Sequence, residues 1–133
     1  MQSDAVAPLS GGSSVARRDR GKRAYLSGLA AEQSVERHYV DRGCTVAARR
    51  WRTAGAEIDL VVRDGDVVVF IEVKKSVSFE NAAQSLGVRQ IQRLQTAAAI
   101  FLAQEPLGEL TDCRFDVALV NAAGEIQILD NAF

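Results

Sequence analysis

Residues Gly55 to Lys75 read GAEIDLVVRDGDVVVFIEVKK, and most of the chain can be ordered around them. Ile58 to Val62 and Val67 to Val73 are rich in β-branched and aromatic side chains, which suit a pleated, half-buried surface. Asp64-Gly65 between them signals a hairpin, because a type I′ turn needs residues that tolerate positive φ. The charges set this hairpin apart. Glu57 and Asp59 are two apart and share a face, as do Glu72 and Lys74 on the partner strand. Three carboxylates and a lysine at one end of an apolar hairpin imply that something binds them.

Register decides whether the two sets meet. If Arg63 pairs with Asp66, Asp59 faces Phe70 and lies diagonal to Glu72. If the loop is Gly65-Asp66, Asp59 faces Glu72 directly. Either register leaves Glu57, Asp59, Glu72 and Lys74 on one face. Asp59 and Glu72 then have Cβ atoms roughly 5 to 8 Å apart, a span one divalent cation can bridge.

Upstream, Tyr25 to Arg42 reads as a helix closed by Gly43 at the left-handed cap position. Tyr25, Leu26, Leu29, Val35, Tyr39 and Val40 form one apolar arc, and Glu32 and Glu36 fall inside it. A carboxylate on a buried face is costly unless it is paired or binds a cation. Glu32 is therefore a candidate for the hairpin site, the alternative being an ion pair with an arginine such as Arg49 or Arg50. Thr45 to Thr53 (TVAARRWRT) reads as a strand, with Trp51 a packing residue. Its Arg49, Arg50 and Arg52 face either phosphates or solvent.

Downstream, residues 76–87 are polar and read as a loop. A second helix is expected from Val88 to Gln104, burying Val88, Ile91, Leu94, Ala98, Phe101 and Leu102. Gln90 falls at the border of that face, with Arg89 and Arg93 on the solvent side. Arg114 to Asn121 and Glu125 to Leu129 read as two more strands. The order is α-β-β-β-α-β-β.

Composition bounds what this chain can be. Its 133 residues, 47% hydrophobic and 25% charged, describe one ordinary globular domain. Arg17, Arg18, Arg20, Lys22 and Arg23 face only Asp4 and Asp19 in the first 24 residues; of 16 basic and 17 acidic residues, eleven and fifteen remain for the rest. A mildly acidic body lacks the footprint of a strong passive DNA binder. Residues 1–23 read as a disordered basic tail, either solvated or a nucleic-acid arm, ahead of a folded domain over 24–133. Cys44 and Cys113 show no CxxC spacing and read as reduced thiols of a cytoplasmic protein. Two distant cysteines and the single His38 make no zinc site. Neither a signal-peptide core nor a ~20-residue apolar run is present.

A Gly-rich phosphate loop, GxSxG, HExxH and a second histidine are all missing. What remains is Asp59 with Glu72-Val73-Lys74, plus Glu32 upstream and Gln90 downstream. Two carboxylates on neighbouring strands make an oxygen-rich site suited to Mg²⁺ or Mn²⁺. A lysine two residues from a ligating glutamate is placed to orient a water or to stabilise negative charge developing at phosphorus. These are the parts for metal-assisted phosphodiester hydrolysis.

The spacing from Asp59 to Glu72-Val73-Lys74 resembles the PD-(D/E)XK nuclease motif. The wider set resembles the small YraN-like family of predicted endonucleases, distant relatives of archaeal Holliday junction resolvases. It comprises Gly28 and Glu32, Gly55-Ala56-Glu57-Ile58-Asp59-Leu60, Phe70-Ile71-Glu72-Val73-Lys74 and Arg114-Phe115-Asp116-Val117. The resemblance implies a restriction-endonuclease-like α/β fold, a mixed sheet flanked by helices. It implies Asp59, Glu72 and the Val73 carbonyl as metal ligands, Lys74 as the catalytic lysine, and Glu32 binding or orienting near the metal. Three positions depart from the motif: Glu57-Ile58-Asp59 replaces the superfamily's Pro-Asp, Ala31 stands for a usual Gly, and Gln90 stands where the family more often has a lysine. The implied activity is a Mg²⁺- or Mn²⁺-dependent endonuclease. Its partner would be DNA, branched or structured, with a second copy of the chain as a further candidate and no membrane. The rivals are a non-catalytic nucleic-acid-binding or assembly module on the same scaffold and a structural domain of ion pairs.

Overall fold

The apolar alternation of residues 45–75 becomes three strands, β1 (Thr45–Thr53), β2 (Ala56–Asp64) and β3 (Val67–Lys75). They belong to a computed structural model that describes residues 27–53, 55–84 and 86–133, with backbone alone at 82–84. The basic tail expected over 1–23 and the expected helix start at Tyr25 lie outside those residues. The chain divides into two compact units, Met1–Ala30 and Ala31–Phe133. Of the first, residues 27–30 are described and helical; the second carries the sheet and the candidate site.

Helix α1 is described over 27–40. Gly43, at φ +95°, ends it: Gly43 N–H donates to the Val40 carbonyl and Cys44 N–H to that of Tyr39. That is the cap the glycine suggested, since a Cβ is disfavoured at this φ. After β3 come α2 (Phe79–Gln84), α3 (Val88–Leu102), β4 (Cys113–Val120) and β5 (Ile126–Leu129). The expected order holds, with α2 added in the stretch expected to be a loop. The Asn81 N–H donates to Ser78 Oγ at 3.2 Å, and Glu80 sits in the first turn. A capping serine and an acidic first turn suit a helix start even in polar sequence.

The sheet order is β1-β2-β3-β4-β5. All neighbours are antiparallel except β3 and β4, which run parallel. A parallel neighbour needs a crossover connection, and α2 and α3 supply it. On one face, Ala31, Val35 and Tyr39 of α1 pack on Leu60, Val62, Val69 and Ile71. On the other, Leu94, Ala97, Ala98 and Phe101 of α3 pack on Ile58, Val61, Val68 and Phe70. Trp51 is a packing residue, meeting the Phe101 ring edge-on at 5.3 Å. Val88 and Val40, expected inside, are 71% and 46% exposed; each sits in a terminal turn, beyond the residues its helix buries.

One irregularity positions the site. Along β1 and β2 the pairs Arg49↔Leu60 and Trp51↔Ile58 keep register, yet the pair between them, Arg50 with Asp59, drops out of the ladder. Leu60 packs toward α1, whereas Ile58, two residues away, packs toward α3. Strict alternation would put both on one face. Arg50, a non-glycine residue at φ +46°, marks the break on the partner strand. Both strands change face at one level, and Asp59 stands there.

Candidate functional site

The β2–β3 ladder pairs Asp64 with Val67, so the loop is Gly65-Asp66. Gly65 takes φ +61°, and Asp66 is not among the positive-φ residues. Positive φ at the first loop residue alone is the requirement of a type II′ turn. The expected type I′ turn centred on Asp64-Gly65 is therefore corrected by one position. This register is the one that sets Asp59 opposite Glu72. The ladder nevertheless stops at Leu60↔Ile71. Beyond it the strands part, and the Val73 N–H donates to Asp59 Oδ2 at 2.8 Å. A side chain takes a backbone donor just where the carboxylates converge.

Glu72 is 6% exposed. Asp59 is carried from its ordinary 3.8 up to about 8, first by burial, then by the charge of Glu72 and a hydrogen bond to it; the Val73 N–H opposes the shift. The two carboxyl groups are thus near neighbours, and burial with the Glu72 charge favours the protonated form of Asp59 well above the usual carboxylate range. Gln90 Nε2 donates to Glu72 Oε2. Lys74 Nζ donates to Gln90 Oε1 at 3.1 Å and lies 3.3 Å from Glu72 Oε2. Gln90 therefore holds the lysine and the glutamate together. A cleft of about 300 Å³ opens over Glu57, Asp59, Glu72, Gln90, Arg93 and Leu94.

The structure brings together Asp59, Glu72, Val73, Lys74 and Gln90. It does not bring Glu32 to them. Arg50 Nε donates to Glu32 Oε1 at 2.7 Å, the ion-pair alternative. The reason is the layering: α1 packs on one sheet face and α3, with the pocket, on the other. Arg49 likewise donates to Glu36 at 2.7 and 2.9 Å, and Arg52 to Glu57 at 2.7 Å. The arginines of β1 each hold a carboxylate rather than facing solvent alone. Arg93 is exposed, as expected of the solvent side of this helix, and also lines the rim of the pocket. Its i,i+3 spacing from Gln90 was the available signal, since such residues are neighbours on a helix.

Among the described residues no group of three or more His, Cys, Asp and Glu side chains is arranged to hold a metal ion. The donor set is the Asp59–Glu72 pair. Such a pair suits Mg²⁺ or Mn²⁺ better than an all-protein cage would, because Mg²⁺ keeps several waters and takes one or two carboxylates. Burial and the nearby Glu72 charge disfavour the ionised form of Asp59, a cost that a bound cation would offset.

The mixed five-stranded sheet, with helices on both faces and charges gathered at the parted end of its central hairpin, defines an α/β protein of restriction-endonuclease-like order. The chain belongs to the uncharacterised protein family UPF0102, whose profile matches residues 31–120; this is the YraN-like family its motifs resemble. It is 57% identical over 114 residues to a UPF0102 protein of Ruegeria pomeroyi, covering 86% of this chain and 93% of that one. It is 54% identical over 117 residues to one from Roseobacter denitrificans (88% and 91% covered), and 53% over 113 to one from Cereibacter sphaeroides (85% and 97%). Among the described residues no helix is long and apolar enough to cross a membrane.

Proposed function

We propose that this protein is a divalent-metal-dependent endonuclease that hydrolyses phosphodiester bonds in DNA, structured or branched DNA in particular, in the cytoplasm. One observation carries the reading: two carboxyls, Asp59 and Glu72, meet at the parted end of a hairpin with Lys74 beside them. Asp59 and Glu72 would hold Mg²⁺ or Mn²⁺, with the Val73 carbonyl and waters completing the shell. The bound cation would supply Lewis-acid polarisation of the phosphoryl oxygens and a more acidic water. The Val73 N–H holds the Asp59 carboxyl in place. Lys74 puts a positive charge next to Glu72, where it would stabilise negative charge on the phosphorus oxygens. Gln90 keeps that ammonium from swinging to solvent.

The test is cleavage of labelled four-way junction, flap and plain duplex DNA with Mn²⁺, Mg²⁺ or chelator. Metal-dependent cleavage should appear with wild type and vanish with Asp59→Asn and with Lys74→Ala. Equal cleavage by Asp59→Asn would sink the proposal. One observation favours the rival of a non-catalytic nucleic-acid-binding or assembly module: Lys74, Gln90 and Glu72 already satisfy one another. DNA binding without cleavage under any metal would select it.

A further inference from the structure

Beside the acidic pocket, sharing Ala56 and Arg93 with it, lies a second cleft of about 380 Å³. Its helical wall carries Arg89, Gln92, Arg93 and Thr96, and Thr53 faces them from the end of β1. Arg89 and Arg93 are exposed. Among the described residues neither has a carboxylate partner, whereas Arg49, Arg50, Arg52, Arg63 and Arg114 each do. Two arginines at i,i+4 repel each other slightly, so their shared placement lacks an internal stabilising role. The Thr96 hydroxyl donates inward to the Gln92 carbonyl at 3.0 Å, which leaves the two guanidiniums and the Gln92 amide as outward donors.

We infer that the Arg89–Arg93 cleft binds the phosphodiester backbone of a nucleic-acid strand next to the phosphate that occupies the Asp59–Glu72 pocket. An acidic pocket repels a polyanion, and Lys74, the cation inside it, is held by Gln90 and Glu72. Any strand laid there needs cations next door, and this cleft supplies them. The two side chains leave α3 roughly 6 Å apart along its axis. Phosphates recur about every 3.4 Å of helix axis along one strand, so the pair spans roughly two such steps and can hold two nearby phosphates of the same strand. Guanidinium groups bind phosphate through two parallel N–H donors. Arg93, which lines both clefts, would set the register of the strand over the carboxylates.

The inference deepens the nuclease reading and is tested without cleavage. A fluorescein-labelled DNA strand is titrated in chelator at several salt concentrations, with wild type, Arg89→Ala/Arg93→Ala, and Arg37→Ala/Arg42→Ala as a charge-matched control at the end of α1 and in the turn that follows it. The first pair should weaken binding on the order of tenfold and lower the slope of log affinity against log salt by about 1.4, two phosphates' worth for a single strand. The control pair should leave the slope unchanged. Equal slopes for wild type and the Arg89/Arg93 pair, equal losses in both pairs, or no binding by wild type would each overturn the inference. Should the alanine pair melt early, Arg89→Gln/Arg93→Gln removes the same charge while keeping a polar side chain, and is judged by the same slope. Catalysis is read separately: a changed slope with no metal-dependent cleavage keeps the cleft and removes the nuclease, and cleavage with an unchanged slope does the reverse.

Discussion

Asp59 is the residue on which the chemistry and the stability pull in opposite directions. Its carboxyl, raised to about 8, favours the protonated form in the folded state. The sign follows by linkage: the stabilisation is fully present below the ordinary value of 3.8 and is lost as pH rises through about 8. The metal-free protein should therefore melt at progressively lower temperature between about pH 4 and pH 8, and Asp59→Asn should flatten that slope. Thermal melts in chelator across the range check this; parallel curves for wild type and mutant would show that Asp59 is not the strained group. Cation binding to the folded state competes with this proton and adds stability by mass action. Mn²⁺ at neutral pH should accordingly raise the melting temperature of wild type and leave Asp59→Asn unmoved. Lys74→Ala should spare that thermal response while losing cleavage, because the lysine is argued to act on phosphate oxygens and not on the cation. Glu32 behaves differently. Its pair with Arg50 is partly exposed, with side chains 20% and 30% accessible, and such pairs contribute about 1 kcal/mol or less. Glu32→Gln should cost no more than that and leave the Mn²⁺ response intact.

At the scale of elements, the hairpin turn transmits to the site. Gly65 sits at φ +61°, and a Cβ built there meets nothing within 4 Å. The cost of Gly65→Ala is then purely conformational, about 1–2 kcal/mol, and Gly65→Asn should cost less because Asn tolerates the left-handed region. Urea denaturation reads both; equal costs would mean that the turn does not need this φ. The strands themselves were legible from alternation: Thr45–Thr53 was read to the residue. Helix α2 was not, because its capping serine and acidic first turn lie in a stretch without apolar periodicity. The sequence admits two turn registers, since Asp64-Gly65 and Gly65-Asp66 both put the glycine where positive φ is needed.

For the whole molecule, the buried carboxylate to watch is Asp116, 1% exposed. It accepts the Tyr39 hydroxyl at 2.7 Å, Arg114 Nε at 3.1 Å and the Asn131 N–H at 3.0 Å. Burial and this carboxylate hold the Tyr39 hydroxyl well above its usual range. One side chain thereby ties α1, β4 and the segment after β5 together. Asp116→Ala would leave the Tyr39 hydroxyl and the Asn131 N–H without their acceptor, while Arg114, 29% accessible, keeps Asp64, and should cost about 2–4 kcal/mol. Tyr39→Phe removes one bond and should cost about 1 kcal/mol. Chemical denaturation of both variants checks the ranking; a mild Asp116→Ala would mean that water replaces the carboxylate. In the sequence Asp116 stood out only as part of the Arg114-Phe115-Asp116-Val117 match, because a single acidic residue in a strand gives no sign of which elements will close over it.

By itself the amino-acid order determined the strands, the two principal helices, their sequence along the chain and the gathering of Asp59, Glu72 and Lys74, to which the packing of α3 added Gln90. Those follow from periodicity and from spacing along one hairpin, which are local properties. Two matters were decided only when the layers packed. Glu32 lies on an apolar arc that fits either a cation site or an arginine, and its fate turned on α1 and α3 taking opposite faces of the sheet. Ile58 and Leu60, two apart, would share a face on an unbroken strand. They part because β1 and β2 change face together at Arg50 and Asp59, a backbone event that no residue pattern announces. That break sets Asp59 toward α3, where burial and Glu72 raise its pKa.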